Sequence, residues 1–400
     1  MKLLHLTEFY ALVGGLEQYL LSVSEALEAA GHRVVVAYGA RTGRETDPEA
    51  RPAFHLPELA GPRPAPRSSL RQLAELLVRE APDVIMIHEI QDPRVVRLAA
   101  ARAPTLRFAH GHKLACPGGR RLWQPVGRVC ERPLGVGCQA RAYLHRCMPR
   151  DIRRGLPLIL RAQAVLRLHR RWSQLVVPSR FVRGLMLQND FPPEQVHLAP
   201  YFTRLPEPPA PPRDAVPGRI LCAARLVAEK GVEHVLEVLG GLPPPAHLVV
   251  AGDGPARAGL ESRARELSLG DRVQFLGWLG SERMGSALES AQVVVVPSIW
   301  PETFGIIGIE AMARARPVVA YDSGGVREWL GHGETGLLVA RGDTGGLGAA
   351  LGVLLRDPAR CEALGAQGRR RVAAEFLAEH HLAALLQAAA AAAARFGAKP

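Results

Sequence analysis

Two runs of alternating strand and helix patterns, parted by a proline-rich break, constrain this chain more than any other feature. Residues 203–218, TRLPEPPAPPRDAVPG, carry six prolines and no hydrophobic period. Proline fixes φ and removes a backbone donor, so the stretch reads as a semi-rigid, extended linker. Before it, the apolar runs KLLHLT, HRVVVAY, DVIMIH, TLRFAH, QLVVPS and QVHLAP predict strands. Between the first two lies GLEQYLLSVSEALEAAG, where Leu16, Leu20, Val23 and Leu27 recur at helical spacing and Gly31 caps the end. After the linker the rhythm restarts. RILCAAR, HLVVAGDGP, RVQFLGW, QVVVVPS, PVVAY and TGLLV are the strand candidates, with helices near 231–240, 256–268 and 281–291. Apolar strands joined by helices predict parallel, doubly wound sheets. The expected organisation is a first α/β domain at 1–202, the linker at 203–218, a second α/β domain at 219–375 and a helical end at 376–400. Four hundred residues suit two such cores.

Composition then excludes several classes. No run reaches the ~18 apolar residues of a membrane span. The opening MKLLHLTEFY has one Lys and a short apolar run, which suits a first strand better than a secretory leader, so a cytoplasmic protein is expected. Six cysteines in 400 residues are no disulfide framework. The net charge of +12 is concentrated: residues 93–183 hold 20 Lys and Arg against Glu131 and Asp151, while residues 201–400 hold 21 of each sign. Such a region attracts anionic lipid, a polyanionic glycan or nucleic acid, unless it is only a solvated face of an Arg-rich chain. It lacks an aromatic stacking set and any recognised nucleic-acid motif, which argues against nucleic acid.

The chemistry concentrates in the second half. Glu302 and Glu310 form an E-x7-E pair inside PSIWPETFGIIGIEAMARARPVVAYDSGGVREWL. A carboxylate in a loop accepts hydrogen bonds from sugar hydroxyls, and one eight residues on, inside a helix, can reach a ribose. The helix start between them offers backbone N–H groups without intrahelical partners, which suit an anion or a sugar oxygen. Upstream, AARLVAEKGVEHVLEVL sets Arg225 and Lys230 at a loop-to-helix junction, two cations beside free N–H groups and fit for a diphosphate. VVAGDGP places Gly252 and Gly254 at a strand end, where a ligand could approach the backbone. FLGWLG follows the next strand. Taken singly, these residues read equally as surface charges, caps and turns; their order and spacing carry the functional reading.

These segments, with GGLEQYLLSVSEALEAAGHRVVV in the first half, resemble the retaining glycosyltransferases of family 4, which share the GT-B fold. The resemblance covers nearly the whole chain. It implies two Rossmann-like domains facing across a cleft and a terminal helix that crosses back to the N-terminal domain. It implies that Glu302 binds donor-sugar hydroxyls and Glu310 the ribose. The backbone at Phe304, Gly305 and Ile306 would hold sugar and diphosphate, the FLGWLG loop would contact the base, and Arg225 and Lys230 would neutralise the leaving diphosphate. Gly14 and Gly15 would lie near the donor phosphates and the acceptor, and His110 would contact sugar. His110 departs from the family pattern, since Gly111 follows it where an acidic residue is usual, and His112 is the reserve choice.

No D-x-D occurs, so a metal held between two nearby aspartates is not indicated and no catalytic metal or cofactor is expected. Cys116, Cys130, Cys138 and Cys147 could hold a structural zinc, although no C-x2-C occurs; ordinary thiols are the other reading. Cys222 and Cys361 read as core. Residues 150–172 join Arg153, Arg154, Arg161, Arg167, Arg170 and Arg171 to Leu, Ile and Val. This could be an amphipathic segment lying on an anionic membrane, or a helix packed on the sheet with Pro157 breaking its pattern. The expected activity is sugar transfer from a nucleotide sugar to an envelope or exopolysaccharide acceptor, free or lipid-linked, at the inner face of the cell membrane. The rivals are another GT-B reaction, such as epimerisation or phosphorolysis, and a non-catalytic polyanion-binding module.

Overall fold

A computed structural model describes residues 1–11, 14–42, 51–61, 63–123, 127–206 and 215–397. They fall into two compact units, Met1–Pro200 with Ala378–Pro400, and Tyr201–Leu377. Residues 207–214 of the proline-rich stretch lie outside the described residues.

The first unit is a seven-stranded parallel sheet. Its strands are β1 (Lys2–Phe9), β2 (Arg33–Ala40), β3 (Ala53–His55), β4 (Val84–His88), β5 (Thr105–Phe108) and, after a short antiparallel ribbon of β6 (Leu122–Trp123) and β7 (Arg128–Val129), β8 (Ser173–Val177) and β9 (Val196–Leu198). The order is β3-β2-β1-β4-β5-β8-β9. Its helices are α1 (Gly15–Ala29), α2 (Arg67–Glu80), α3 (Pro93–Arg102), α4 (Cys138–His145), α5 (Ile152–Trp172) and α6 (Arg180–Leu187). Alternation sorts the strand residues by face. Leu4, Leu6, Ile85 and Ile87 pack on Leu73, Leu76 and Val95 of α2 and α3.

The second unit repeats the plan. Strands β10 (Arg219–Ala223), β11 (His247–Ala251), β12 (Val273–Gly277), β13 (Val293–Val296), β14 (Val318–Tyr321) and β15 (Gly336–Val339) pair in parallel in the order β12-β11-β10-β13-β14-β15. Helices α7 (Val232–Leu239), α8 (Arg257–Glu266), α9 (Ser281–Ser290), α10 (Ile306–Ala313), α11 (Thr344–Arg356) and α12 (Pro358–Glu375) complete it. Its core joins Ile220, Cys222, Val250 and Val295 to Leu236 of α7 and Leu347 and Leu351 of α11. The last helix, α13 (Ala378–Gly397), packs on β5 and β8 of the first unit. In each unit the strand order reverses beside its first strand, between β1 and β4 and between β10 and β13. Such a reversal opens a crevice at the carboxyl ends of the strands, where ligands bind in this class of sheet.

One expectation needs correction. Pro157 does not break its helix: α5 runs unbroken through it. The proline forgoes only the bond to the Arg153 carbonyl, on an exposed turn near the helix start where water can replace the donor. The Cys-rich segment contains the β6–β7 ribbon and α4.

Candidate functional site

In the second unit the predicted residues gather at the strand reversal. The loop after β10 carries Arg225 and Lys230, and the segment after β13 runs from Pro297 into α10. Gly231 lets the two meet: its φ is 68°, and a Cβ there would collide with the Pro297 carbonyl. The N–H groups of Ile299 and Trp300 both donate to the Glu229 carbonyl at 3.0 Å. With the loops tied, Lys230 Nζ donates to Glu302 Oε1 at 2.6 Å and lies 5.1 Å from the centre of the Trp300 ring. The Glu302 side chain is 7% exposed and that of Lys230 25%. A buried carboxylate needs such a partner. The main chain of Glu302 is held from its other side by the turn after β14. Gly325 N–H donates to the Glu302 carbonyl at 2.7 Å, and Gly324, at φ 63°, leaves no room for a Cβ against the Glu302 backbone.

Two residues on, Phe304 is fully buried between Tyr201 and Phe376, and its carbonyl accepts from Trp329 Nε1 at 2.7 Å. Phe304 therefore serves as an anchor, and its ring is not open to a ligand. Gly305, at φ 93°, turns the chain into α10 without a side-chain cap, and Ile306 is the first helical residue. The N–H groups of Ile306 and Ile307 have no intrahelical acceptor, whereas that of Gly308 donates to the Gly305 carbonyl at 3.0 Å. Glu310 lies one turn along, half-buried. Burial pushes its carboxyl above the usual range, and the Arg314 guanidinium opposes the shift. Arg225 is exposed, with no ion pair among the described residues. Gly252 and Gly254 have φ of 130° and 158°, and a Cβ on either would strike the Ala224 or Leu226 carbonyl. The close approach that demands glycine is made by this chain's own backbone. Trp278, in the loop after β12, is 45% exposed.

The first unit is arranged differently. Gly14 precedes α1 with φ −171°, extended backbone that any residue adopts, and among the described residues nothing lies within 4 Å of a Cβ built on Gly15. Local geometry does not demand glycine at either position. His110, two residues past β5, bonds His88 at 2.7 Å through its Nε2. Burial and the Arg107 cation hold it well below the usual histidine range, so it is neutral. His112 is 1% exposed and meets the Phe181 ring edge-on, so it is packed inside.

Cys116, Cys130, Cys138 and Cys147 do come together, lining one cavity of about 20 Å³ with Arg121 and Met148. All four are free thiols, and burial pushes Cys147 up to about 11. Among the described residues no group of three or more His, Cys, Asp or Glu is set to hold a metal ion. Cys222 and Cys361 are buried in the core of the second unit.

Helix α5 presents Ile152, Leu156 and Leu160, 59%, 37% and 53% exposed, along one stripe at four-residue spacing. Tyr143 and Leu144 of α4 are also exposed, and so are Arg153, Arg154, Arg167 and Arg171. Two of the predicted basic residues do other work. Arg161 donates to the carbonyls of Gln91 and Gly61, and Arg170 pairs with Asp190 at 3.2 Å.

Sequence reasoning missed His5, His88, Tyr19 and His381, which cluster with His110, and Trp329, which fixes the Phe304 turn. They stand far apart in the chain, and no local spacing marks them.

Known proteins can now be compared with this geometry. Residues 13–203 match the profile of Glycosyltransferase Family 4, and residues 208–371 that of Glycosyl transferases group 1. An alpha-D-kanosaminyltransferase of Streptomyces kanamyceticus is 37% identical over 142 residues, 35% of this chain and 36% of that enzyme. The chain thus spans little more than a third of that curated relative. An MMP alpha-(1->4)-mannosyltransferase of Mycolicibacterium hassiacum is 28% identical over 393 residues, 91% of each chain. Among solved structures, Anabaena Alr3699/HepE in complex with UDP-glucose superposes with a TM-score of 0.73 at 19% identity, over 98% of this chain and 100% of that one. That likeness shows the GT-B fold. On these matches the chain belongs to glycosyltransferase family 4.

Proposed function

We propose that this enzyme moves a sugar from a nucleotide-sugar donor to a saccharide acceptor of the cell envelope or an exopolysaccharide, free or lipid-linked, with retention at the anomeric carbon. The observation that carries the reading is the Lys230–Glu302 pair at the strand reversal of the second unit, beside the uncapped start of α10. Glu302 is assigned to donor-sugar hydroxyls and Glu310 to the ribose. The N–H groups at Gly305 and Ile306 are assigned to phosphate oxygens, and Gly14, Gly15 and His110 to sugar and phosphate oxygens on the first unit. The bond from the anomeric carbon to the diphosphate breaks as the acceptor oxygen bonds to that carbon. The acceptor proton passes to the departing diphosphate. Charge grows on that leaving group, so Lys230 and Arg225 act most strongly in the transition state. They supply the positive charge there, and no metal is required. The HepE complex, which holds UDP-glucose, supports a nucleotide sugar as donor.

The first unit is assigned to the inner membrane face. The exposed Ile152, Leu156 and Leu160 would enter the lipid interface, flanked by Arg153 and Arg154.

The test is product analysis in EDTA with UDP-, GDP-, ADP- and dTDP-sugars. A glycoside whose anomeric proton coupling matches the donor's is expected. A free epimer, a sugar phosphate or an inverted product would refute the reading. Activity lost to EDTA and restored only by zinc would place a zinc at Cys116, Cys130, Cys138 and Cys147.

A further inference from the structure

A row of three imidazoles crosses the sheet of the first unit. His5 lies opposite Met86 in the β1–β4 register, and His88, two residues on, lies opposite Phe108 of β5. His110 is two residues beyond Phe108. Register partners and residues two apart share a face, so His5, His88 and His110 step diagonally along one side of the sheet. His5 Nδ1 is 2.8 Å from His88 Nε2, and His88 Nδ1 is 2.7 Å from His110 Nε2. Successive ring centres are 5.0 Å apart, and the Phe108 ring stacks on His88 at 4.5 Å and on His110 at 5.3 Å. His5 and His88 are fully buried.

Such a chain of neutral rings has two proton arrangements, because each bond holds one proton. In one, every ring is protonated on Nε2, and His5 then carries an N–H at a buried nitrogen that no acceptor among the described residues reaches. In the other, every ring is protonated on Nδ1, and that end holds only a lone pair. Orphaned buried N–H groups are rarer and costlier than under-used acceptors. We propose that His5 and His88 are positioning residues that hold His110 in one neutral tautomer, with the proton on Nδ1 and the Nε2 lone pair facing His88. Within the proposed function, the Nδ1–H is then the His110 group that would meet a sugar oxygen.

The groups around the row keep it neutral. Burial lowers His5 to about 3, with the Arg51 cation adding to the effect, and burial, the neighbouring imidazoles and Arg107 hold His88 well below the usual histidine range. Tyr19 packs its ring 5.1 Å from His110. It is itself held by His381, whose Nδ1 lies 2.7 Å from the Pro200 carbonyl. That carbonyl can only accept, so His381 Nε2 is left to accept from the Tyr19 hydroxyl at 2.8 Å.

The inference rests on the proposed function only for its effect on rate, so the test reads tautomers first. Ring-15N histidine spectra of the full-length, substrate-free enzyme should show His5, His88 and His110 neutral and protonated on Nδ1 down to pH 5. A His110 protonated on Nε2, or exchanging between tautomers, overturns the proposal. His5→Leu should mix the His110 tautomers and lower kcat/KM about tenfold, the worth of one well-placed hydrogen bond. His5→Asn, whose amide stands in for the Nδ1–H, should restore both. A pure His110 tautomer in His5→Leu would also overturn it. If instead His110→Ala keeps full activity, the assignment of His110 to sugar fails while the spectra still decide the tautomer.

Discussion

The two sheets share a strand order and differ in what holds their functional groups. In Tyr201–Leu377 the work is done by backbone. Gly231, Gly252, Gly254 and Gly324 have positive φ and no room for a Cβ, and the loops they bring together set Lys230 on Glu302. In Met1–Pro200 it is done by side-chain register. Gly14 and Gly15 are not demanded locally, whereas His5, His88 and His110 align because three strands pair in one way. Charge divides likewise: the second unit holds Lys230 on a buried Glu302 and leaves Arg225 exposed, while the first leaves a basic, partly apolar face exposed on α5. A backbone-built site tolerates few substitutions in its frame. A register-built site tolerates them in its loops but not on the shared face.

This contrast breaks first at the glycines. Gly252→Ala should cost about 3 kcal/mol or more, since it adds a clash with backbone to a positive φ. Gly15→Ala, at the first position of α1, should leave stability unchanged or slightly raised while slowing transfer. Thermal melts and rates on both variants decide it. Equal melting losses would erase the distinction.

A smaller effect is expected at Glu310. Its carboxyl is raised in the folded state, so the folded protein binds that proton more tightly than the unfolded chain. The ionised group then costs stability above its folded value, and the cost vanishes below the ordinary carboxylate range. Glu310→Gln should therefore raise the melting temperature at neutral pH, leave it unchanged at pH 4, and weaken nucleotide affinity. A lower melting temperature at pH 7 would contradict the stated cause.

The smallest effect per residue is expected on the exposed face. Binding to anionic vesicles should be strong at low salt and fade as the Debye length shrinks to about 8 Å near physiological ionic strength. Neutralising Arg153, Arg154, Arg167 and Arg171 should weaken it by up to about 1 kcal/mol per residue, and replacing Leu156 and Leu160 with serine should weaken it further. Transfer to a soluble acceptor should be unaffected. Equal binding to neutral vesicles, or none, removes the membrane assignment.

The same contrast explains what the sequence reveals. Apolar runs and helical spacings predict both sheets, because burial on two faces leaves a local pattern. The second-unit residues are legible because each short segment keeps its glycines and charges in a fixed local order, although the contacts those glycines permit, such as Gly231 against Pro297 and Gly252 against Ala224, join distant segments. The imidazole row is not legible: its members are 83 and 22 residues apart, and only strand order brings them together. Gly252 and Gly254 show the reverse hazard, since a strand-end glycine suggests ligand approach where the chain's own carbonyls require it. Arg161, read as part of a basic surface, is instead a strut to two backbone carbonyls, and composition cannot distinguish the two.

The central claim is that Lys230, held on Glu302, stabilises charge on a departing diphosphate. Single-turnover rates and donor dissociation constants of Lys230→Ala, measured with the preferred nucleotide sugar, test it most directly. The account predicts a rate lower by about 10²-fold or more, as for the loss of one preorganised charge-stabilising donor, with the donor dissociation constant changed by less than about tenfold. An unchanged rate, or a loss explained entirely by weaker donor binding, would contradict it.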